Sequence, residues 1–88
     1  MSNNRMVALA KRVVAERYRH DNWAINDEDV FIVWFSKTLQ NWKALVSTCV
    51  GDGMYYEITY NGDKNEIYLD AYKKIENKCI PLSVEVNL

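Results

Sequence analysis

His20 is the only histidine in the chain, which limits the acid–base and metal chemistry that the protein could perform. A metal site would need carboxylates or cysteines from elsewhere, and a nucleophilic site would depend on His20 as its only imidazole base. Cys49 and Cys79 have neither metal-ligand spacing nor a C-x-x-C arrangement, and are interpreted as reduced, partly buried thiols. The sequence therefore predicts no catalytic residue, no metal site and no cofactor, and it places His20 on the surface at a helix C-terminus.

The acidic residues fit turns better than ion sites. Asp27, Glu28 and Asp29 lack the ligand spacing and glycine bend of a calcium loop, whereas acids after a capping Asn26 are typical of a single helical turn. The segments 51–53 and 61–63 combine glycine with aspartate, as turns do, but lack the spaced glycines of a phosphate-binding loop.

Tyrosines form the most suggestive surface. Tyr68 and Tyr72 alternate with Glu66 and Asp70 on one side of a predicted strand, so this side is expected to face water. Such tyrosines occur as cross-strand pairs that support a sheet, as protein-contact anchors, or as stacking platforms for single-stranded nucleic acid. The acids would repel phosphate. Tyr68, Asp70 and Tyr72 are therefore taken as candidate protein-binding residues.

A second candidate surface is the basic face of the N-terminal helix, formed by Lys11, Arg12 and Arg19. Residues 5–20 carry a net charge of +4, residues 21–88 carry −5, and the whole chain carries −1. This face is either a solvated helix surface or a binding site for phosphates or an acidic partner. Glu16 lies four residues from both Arg12 and His20, a spacing that predicts ion pairs along the helix.

The helix itself is predicted from apolar residues at helical spacing, capped by Ser2 or Asn3 and ending near residues 20–22. Leu9 and Val13 are expected to be buried against a sheet. The apolar positions are Met6, Leu9, Ala10, Val13, Val14 and Tyr18.

Four strands are predicted after the helix. Residues 30–38 (VFIVWFSKT) are almost continuously apolar, which is typical of a strand that is central or covered on both faces. Residues 42–50 form the second strand. Residues 54–72 form a hairpin around Asn61-Gly62, a dipeptide that tolerates positive φ. A two-residue loop would place Ile67 opposite Tyr56, and a four-residue loop would place it opposite Ile58; both keep the apolar sets on one face.

These elements predict an α+β fold: an N-terminal helix packed on a four-stranded antiparallel meander, in one domain spanning residues 1–88. The helix is expected at about residues 4–20, the sheet at about 30–76 and a tail at about 80–88. Residues 73–78 could extend the last strand or form a helical turn, and residues 82–88 (LSVEVNL) alternate like a short strand. With no signal peptide and no membrane-length apolar run, a cytoplasmic location is expected.

Three segments carry a family resemblance: VWFSKTLQNWKALVST, GDGMYYEITYNGDKNEIY and LDAYKKIENKC. They resemble a family of small uncharacterised proteins encoded by phages and prophages of Gram-positive bacteria, from about Asp29 to Cys79. The N-terminal helix matches less well, and residues 81–88 look like an added tail. The resemblance implies a small accessory protein in the cytoplasm of a bacterial host, and it transfers no catalytic or binding residue.

Residues and resemblance together lead to a functional hypothesis. The protein is expected to be a non-enzymatic protein-binding module whose partner is a host or phage protein, without membrane contact. The alternative is a small nucleic-acid-binding protein that uses the basic helix face.

Overall fold

A computed structural model describes residues 1–83 and shows an α+β fold with one helix layer on one sheet layer. Helix α1 spans Asn3–His20, and a 3₁₀ turn at Asp27–Asp29 leads into the sheet. The strands are antiparallel neighbours in the order β1-β2-β3-β4. They span Val30–Thr38 (β1), Asn41–Thr48 (β2), Met54–Asn61 (β3) and Glu66–Lys73 (β4). The predicted fold is confirmed, although β2 ends before Val50 and the sheet ends at Lys73 rather than near residue 76.

Both ends of α1 are capped by local interactions. The Ser2 side chain accepts a hydrogen bond from the Arg5 backbone N–H at 3.2 Å, so Ser2 rather than Asn3 is the N-cap. At the other end Asn22 adopts a left-handed φ of 67°. The Trp23 N–H then bonds to the Tyr18 carbonyl, and their two rings meet edge to face at 6.0 Å. This Schellman arrangement, with its hydrophobic contact, stops the helix at His20, as predicted.

The buried face of α1 differs from the predicted one by a small rotation. The row Met6, Ala10, Val14 and Tyr18, at i, i+4 spacing, faces the sheet and is at most 4% exposed. Leu9 and Val13 pack against the core only from its margin and are half-buried, so the prediction that both are buried is wrong. The apolar stripe in the sequence is wide enough for either row, and the structure turns the i, i+4 row toward the sheet.

The sheet contributes the other half of the core. Trp42 is 2% exposed and lies between the rings of Phe35 and Tyr60, with centroid distances of 5.7 and 5.6 Å. Such aromatic contacts add about 0.5–1.5 kcal/mol each beyond area burial. The fully buried sheet residues are Val30, Trp42, Ala44, Val46, Tyr56 and Ile58.

The β3–β4 hairpin keeps the predicted faces but not the predicted register. Ile67 pairs with Tyr60, not with Tyr56 or Ile58, and the loop comprises residues 62–65. The Asn61 side chain sets this loop, because its oxygen accepts hydrogen bonds from two following backbone N–H groups. Asn65, not Gly62, takes the positive φ, at 50°.

Position 62 requires glycine because of close packing, not because of the positive φ that the sequence predicts. A Cβ atom there would lie 2.5 Å from both the Cβ and the carbonyl oxygen of Gln40, in the β1–β2 turn. The Gly62 N–H also donates to the Asn41 side chain at 2.9 Å. The two hairpin tips therefore pack directly against each other.

Strand β1 is neither central nor covered on both faces, contrary to the prediction from its apolar sequence. It is an edge strand in the order β1-β2-β3-β4, and α1 covers only one of its faces. The apolar residues on its other face have no cover from any residue of 1–83.

Beyond β4 the described chain has no regular secondary structure up to a turn at residues 82–83, and it is exposed. The Lys74 N–H bonds to the Gly53 carbonyl at 2.8 Å, and all residues of 74–83 are exposed. Residues 73–78 therefore form neither a longer strand nor a helical turn past Lys73. The short strand predicted at residues 82–88 lies mostly outside the described residues. No helix within residues 1–83 combines the length and apolarity needed to cross a bilayer.

Candidate protein-binding face

One face of the sheet has no second layer within the described part of the chain. We call it the open face. Antiparallel pairing brings its members side by side: Leu45 beside Glu57, Glu57 beside Asp70, and Tyr55 beside Tyr72. The open face comprises Phe31, Val33, Trp34, Ser36, Lys43, Leu45, Tyr55, Glu57, Thr59, Glu66, Tyr68, Asp70 and Tyr72.

The β1 side of the open face is apolar. Phe31, Val33 and Trp34 are 44, 45 and 42% exposed. A β-bulge between Ile32 and Trp34 leaves Val33 without a partner on β2, while Trp34 pairs with Leu45, so these neighbours are both exposed. Contiguous exposed apolar residues of this kind mark interaction sites on soluble proteins.

The β4 side holds the three predicted tyrosine-face residues. Tyr68, Asp70 and Tyr72 are all exposed, with Tyr68 at 48% and Tyr72 at 52%. The Tyr68 hydroxyl donates to Glu66, and this hydrogen bond, with the charge of Glu66, raises the Tyr68 pKa. The structure thus brings the three residues together on the water-facing side.

Charge on the open face is predominantly negative. Glu57, Glu66 and Asp70 outnumber Lys43, whose ammonium lies 3.3 Å from the Glu57 carboxylate. This exposed pair contributes about 0–1 kcal/mol. A partner that covers this face is therefore expected to bring apolar side chains for the β1 side and positive charge for the β4 side.

A shallow groove of about 530 Å³ crosses strands β1, β2 and β3 at the end nearest the hairpin tips. Its open-face walls include Trp34, Ser36, Lys43 and Thr59. The volume lies within the range of about 300–1,000 Å³ typical of ligand clefts, and the groove adjoins the exposed apolar residues of β1.

The basic helix face is only partly available for binding. Arg19 donates to the Asp27 carboxylate at 2.9 Å, to Glu16 at 3.2 Å and to the Ile25 carbonyl. Arg19 therefore ties the connector, residues 21–29 between α1 and β1, to the helix. The pKa of Arg19 is raised chiefly by the hydrogen bond to Asp27. Glu16 pairs with Arg19 rather than with Arg12 or His20. Lys11 and Arg12 have no ion pair within residues 1–83.

A buried hydrogen-bond chain joins α1 to the sheet. The Tyr56 hydroxyl donates to the Tyr18 hydroxyl at 2.9 Å, and Tyr18 donates to the Asp52 carboxylate at 2.5 Å. Arg17 donates to Tyr56 and lies over its ring at 5.2 Å. Burial, and then the hydrogen bonds to Asp52 and Tyr56, raise the pKa of Tyr18 well above its ordinary value. The chain therefore holds Tyr18 neutral.

Other groups with chemical potential lie apart. Cys49 and Cys79 are free, as predicted, but both are exposed rather than partly buried. His20 is exposed at the C-terminus of α1. Within residues 1–83 no three histidine, cysteine or acidic side chains are grouped so that they could hold a metal ion.

Sequence reasoning missed the apolar half of the open face. Phe31, Val33 and Trp34 belong to a continuous apolar run, which shows no alternation and therefore predicts a strand that is central or covered on both faces. The bulge also interrupts the two-residue alternation of the strand, because the adjacent residues Val33 and Trp34 are both exposed. The available signal was the position of the run: the first strand of a four-stranded meander is an edge strand.

A family model matches residues 7–82, which include most of α1, all four strands and most of the described segment after β4. The chain belongs to DUF6275, a family of unknown function. The match reaches further than the resemblance seen in the sequence, both into α1 and past Cys79. No curated protein and no solved structure shows a significant match to the chain.

Membership in DUF6275 covers the surfaces described above, since the open face and both sides of the helix lie within residues 7–82. The family description assigns no activity and no ligand. Any function for this member must therefore be argued from the surfaces themselves.

Proposed function

We propose that this DUF6275 protein is a non-enzymatic protein-binding module that docks its partner on the open face. The observation that carries the proposal is a sheet face that combines exposed Trp34, Phe31, Tyr68 and Tyr72 with acidic residues. Tryptophan and tyrosine are the residues most often found at the energetic centre of protein interfaces. Their rigid rings bury large areas at a small cost in side-chain entropy.

The partner is a polypeptide with apolar anchors and basic residues. Apolar anchors suit Phe31, Val33 and Trp34, and lysine or arginine suits Glu66 and Asp70 at the β4 side. The edge strand β1 also offers free backbone groups to an extended partner segment. The groove beside Trp34 gives such a segment a place for its side chains.

The non-enzymatic part of the proposal is supported by the placement of Tyr18 and His20, the groups with most potential for acid–base chemistry. Tyr18 is neutral because its pKa is raised, whereas a tyrosine acting as a base or nucleophile would need a lowered pKa. His20 lies exposed at the C-terminus of α1, away from the open face. Neither arrangement assembles a nucleophile with a base.

The biological setting is proposed from the resemblance of the β-strand segments to phage and prophage proteins. In that setting the protein acts in the cytoplasm of a bacterial host, where its partner is a host or phage component such as a defence protein.

The test is affinity capture of the tagged protein from phage-infected Gram-positive cells, followed by mass spectrometry, with two matched variants. We expect a partner that is retained by the parent and by Lys11→Ala/Arg12→Ala but lost by Trp34→Ala/Tyr72→Ala. Loss of one hot-spot ring weakens binding by about 2 kcal/mol or more, roughly 30-fold. Circular dichroism would verify that both variants fold. Equal capture by the parent and the open-face variant would overturn the proposal.

A further inference from the structure

We propose that the C-terminal segment of a second copy of this chain docks on the open face. The tail segment is defined as residues 74–82 (KIENKCIPL). This inference rests on the proposed function, because it names an occupant for the same binding face.

The first argument is the position of the exposed apolar side chains. Ile75, Ile80 and Leu82 of the tail segment are 97, 64 and 86% exposed. The open face holds five more large hydrophobic side chains that are over 40% exposed. Outside these two regions, only Met1, Trp23 and Leu39 are large, apolar and exposed within residues 1–83. The tail segment and the open face are therefore the two main apolar surfaces that the described chain leaves uncovered.

The second argument is charge. The tail segment carries Lys74 and Lys78 against Glu76. The open face carries Glu57, Glu66 and Asp70 against Lys43. The chain thus contains both a positive, apolar segment and a negative, apolar and aromatic face. Their opposite charges favour association of the two surfaces.

The third argument is the shape of the tail segment. Residues 74–81 have no regular secondary structure, and the last hydrogen bond of the tail segment to the sheet within the described residues is that of Lys74 to Gly53. Pro81 has no N–H to donate and favours an extended backbone. If the tail segment docks in an extended form, Ile80 and Leu82 lie on the same side of it, as a segment entering a groove requires. The groove beside Trp34 offers about 530 Å³ for these side chains.

The fourth argument is the surface of the chain as a whole. It exposes 6726 Å², whereas a compact monomer of 10.3 kDa is expected to expose about 5,400 Å². Its radius of gyration is 15.7 Å against roughly 12 Å for a compact domain of this length. The excess exceeds the roughly 800 Å² that each partner buries in a standard interface. A reciprocal exchange, in which each copy inserts its tail segment into the other, would form two such contacts in one dimer.

The test is sedimentation analysis of the full chain over a wide concentration range, with variants on each surface. We expect a dimer whose dissociation constant rises at least about tenfold for Ile80→Ser/Leu82→Ser and for Trp34→Ala. Ile80 and Leu82 are exposed, so their replacement leaves the fold intact. Leu39→Ser is the matched control, because Leu39 is 82% exposed but lies in the β1–β2 turn, and it should not change the dimer.

Mixing distinguishes exchange from other dimers. The tail variant keeps a normal open face and Trp34→Ala keeps a normal tail, so an equimolar mixture should form heterodimers that neither variant forms alone. Charge reversal gives a second check: Asp70→Lys and Lys74→Glu should each weaken the dimer, and their mixture should restore it in part.

Cys79 provides a direct probe of the contact. In a Cys49→Ser background, a photo-cross-linker on Cys79 should react with β1 or β2 of an isotope-labelled second chain. Cross-links confined to one chain in a monomer would overturn the proposal. A dimer whose dissociation constant is unchanged by Ile80→Ser/Leu82→Ser would also overturn it. A parent that stays monomeric but still captures another protein through Trp34 would overturn this inference and leave the proposed function standing. A parent that neither dimerises nor captures another protein through Trp34 would overturn both this inference and the proposed function.

Discussion

Tyr18 is the residue at which the helix, the sheet and the β2–β3 turn meet. Its ring packs edge to face on Tyr56 at 5.8 Å, and its hydroxyl joins Tyr56 to the Asp52 carboxylate. Asp52 also accepts the Met54 N–H at 3.1 Å and so holds the turn. A buried hydroxyl that both donates and accepts a hydrogen bond stabilises the fold, whereas a buried carboxylate without a hydrogen-bond partner would destabilise it.

The raised pKa of Tyr18 predicts a loss of stability in alkali. The unfolded chain releases this proton near its ordinary pKa of 10.0, while the folded chain retains it. The contribution is therefore complete below about pH 10 and is lost as pH rises, by at most about 1.4 kcal/mol per pH unit. Urea denaturation at rising pH should show this decline in the parent and a shallower decline in Tyr18→Phe. Tyr72→Phe, which removes an exposed hydroxyl, should follow the parent; a parallel decline in Tyr18→Phe would contradict the assignment.

Gly62 predicts a steric rather than a conformational effect of substitution. Gly62→Ala places a Cβ atom 2.5 Å from Gln40 and should destabilise the fold by about 1–3 kcal/mol. Gly62→Asn should be no better, because the tolerance of asparagine for positive φ gives no benefit here. Gly51 is the control: its φ is +78° with open space around it, so Asn should cost less than Ala there. Thermal unfolding of the four variants tests this, and a tolerated Gly62→Asn would contradict it.

At the scale of elements, α1 predicts a difference between two adjacent valines. Val14 is 0% exposed, whereas Val13 lies at the core margin. Val14→Asp places a charge in the core and should cost on the order of 4–5 kcal/mol or more, enough to unfold a small domain. Val13→Asp can turn its carboxylate to water and should remain folded with a lower melting temperature. Circular dichroism melts of both, with Val14→Ala as a size control, would measure this; equal effects would mean that the helix rotation is wrong.

Most elements could be predicted because their signals are local. Ser2 and the apolar repeat fix α1, and the two-residue period fixes which side of β3 and β4 meets the core. The hairpin register could not be read in this way, since three loop positions satisfy the same alternation. It depends on hydrogen bonds from the Asn61 side chain and on contact between Gly62 and Gln40, which lie 22 residues apart in the sequence.

The residues of the candidate site also differ in whether local sequence signals could predict them. Tyr68, Asp70 and Tyr72 were found because they alternate with core residues in a regular strand. Phe31 and Trp34 were not, because the bulge at Val33 breaks the alternation and because a single sequence does not show whether a second layer covers β1. Arg19 was assigned to a binding face from its position alone, whereas its partner Asp27 is set by the path of the connector.

At the scale of the whole molecule, charge separates the two candidate functions. The basic residues of α1 lie on the opposite side of the sheet from the acidic open face, and the net charge is −1. Of the three predicted basic-face residues, Arg19 is already held by Glu16 and Asp27. Arg17 lies over the Tyr56 ring. Arg5, Lys11 and Arg12 then remain on α1 for phosphate contacts, a small number for a nucleic-acid binder whose affinity depends on counterion release.

We therefore expect no micromolar binding of DNA or RNA at physiological salt. Gel-shift and fluorescence-anisotropy titrations with duplex and single-stranded probes would test this across a salt series. Any binding at low salt should fall steeply as salt rises and should be lost in Lys11→Ala/Arg12→Ala, whereas Trp34→Ala/Tyr72→Ala should leave it unchanged. Arg19 is left intact in this variant because its loss would release the connector as well as remove charge. Tight binding at physiological salt that disappears in Lys11→Ala/Arg12→Ala would assign the function to α1 and displace the open face.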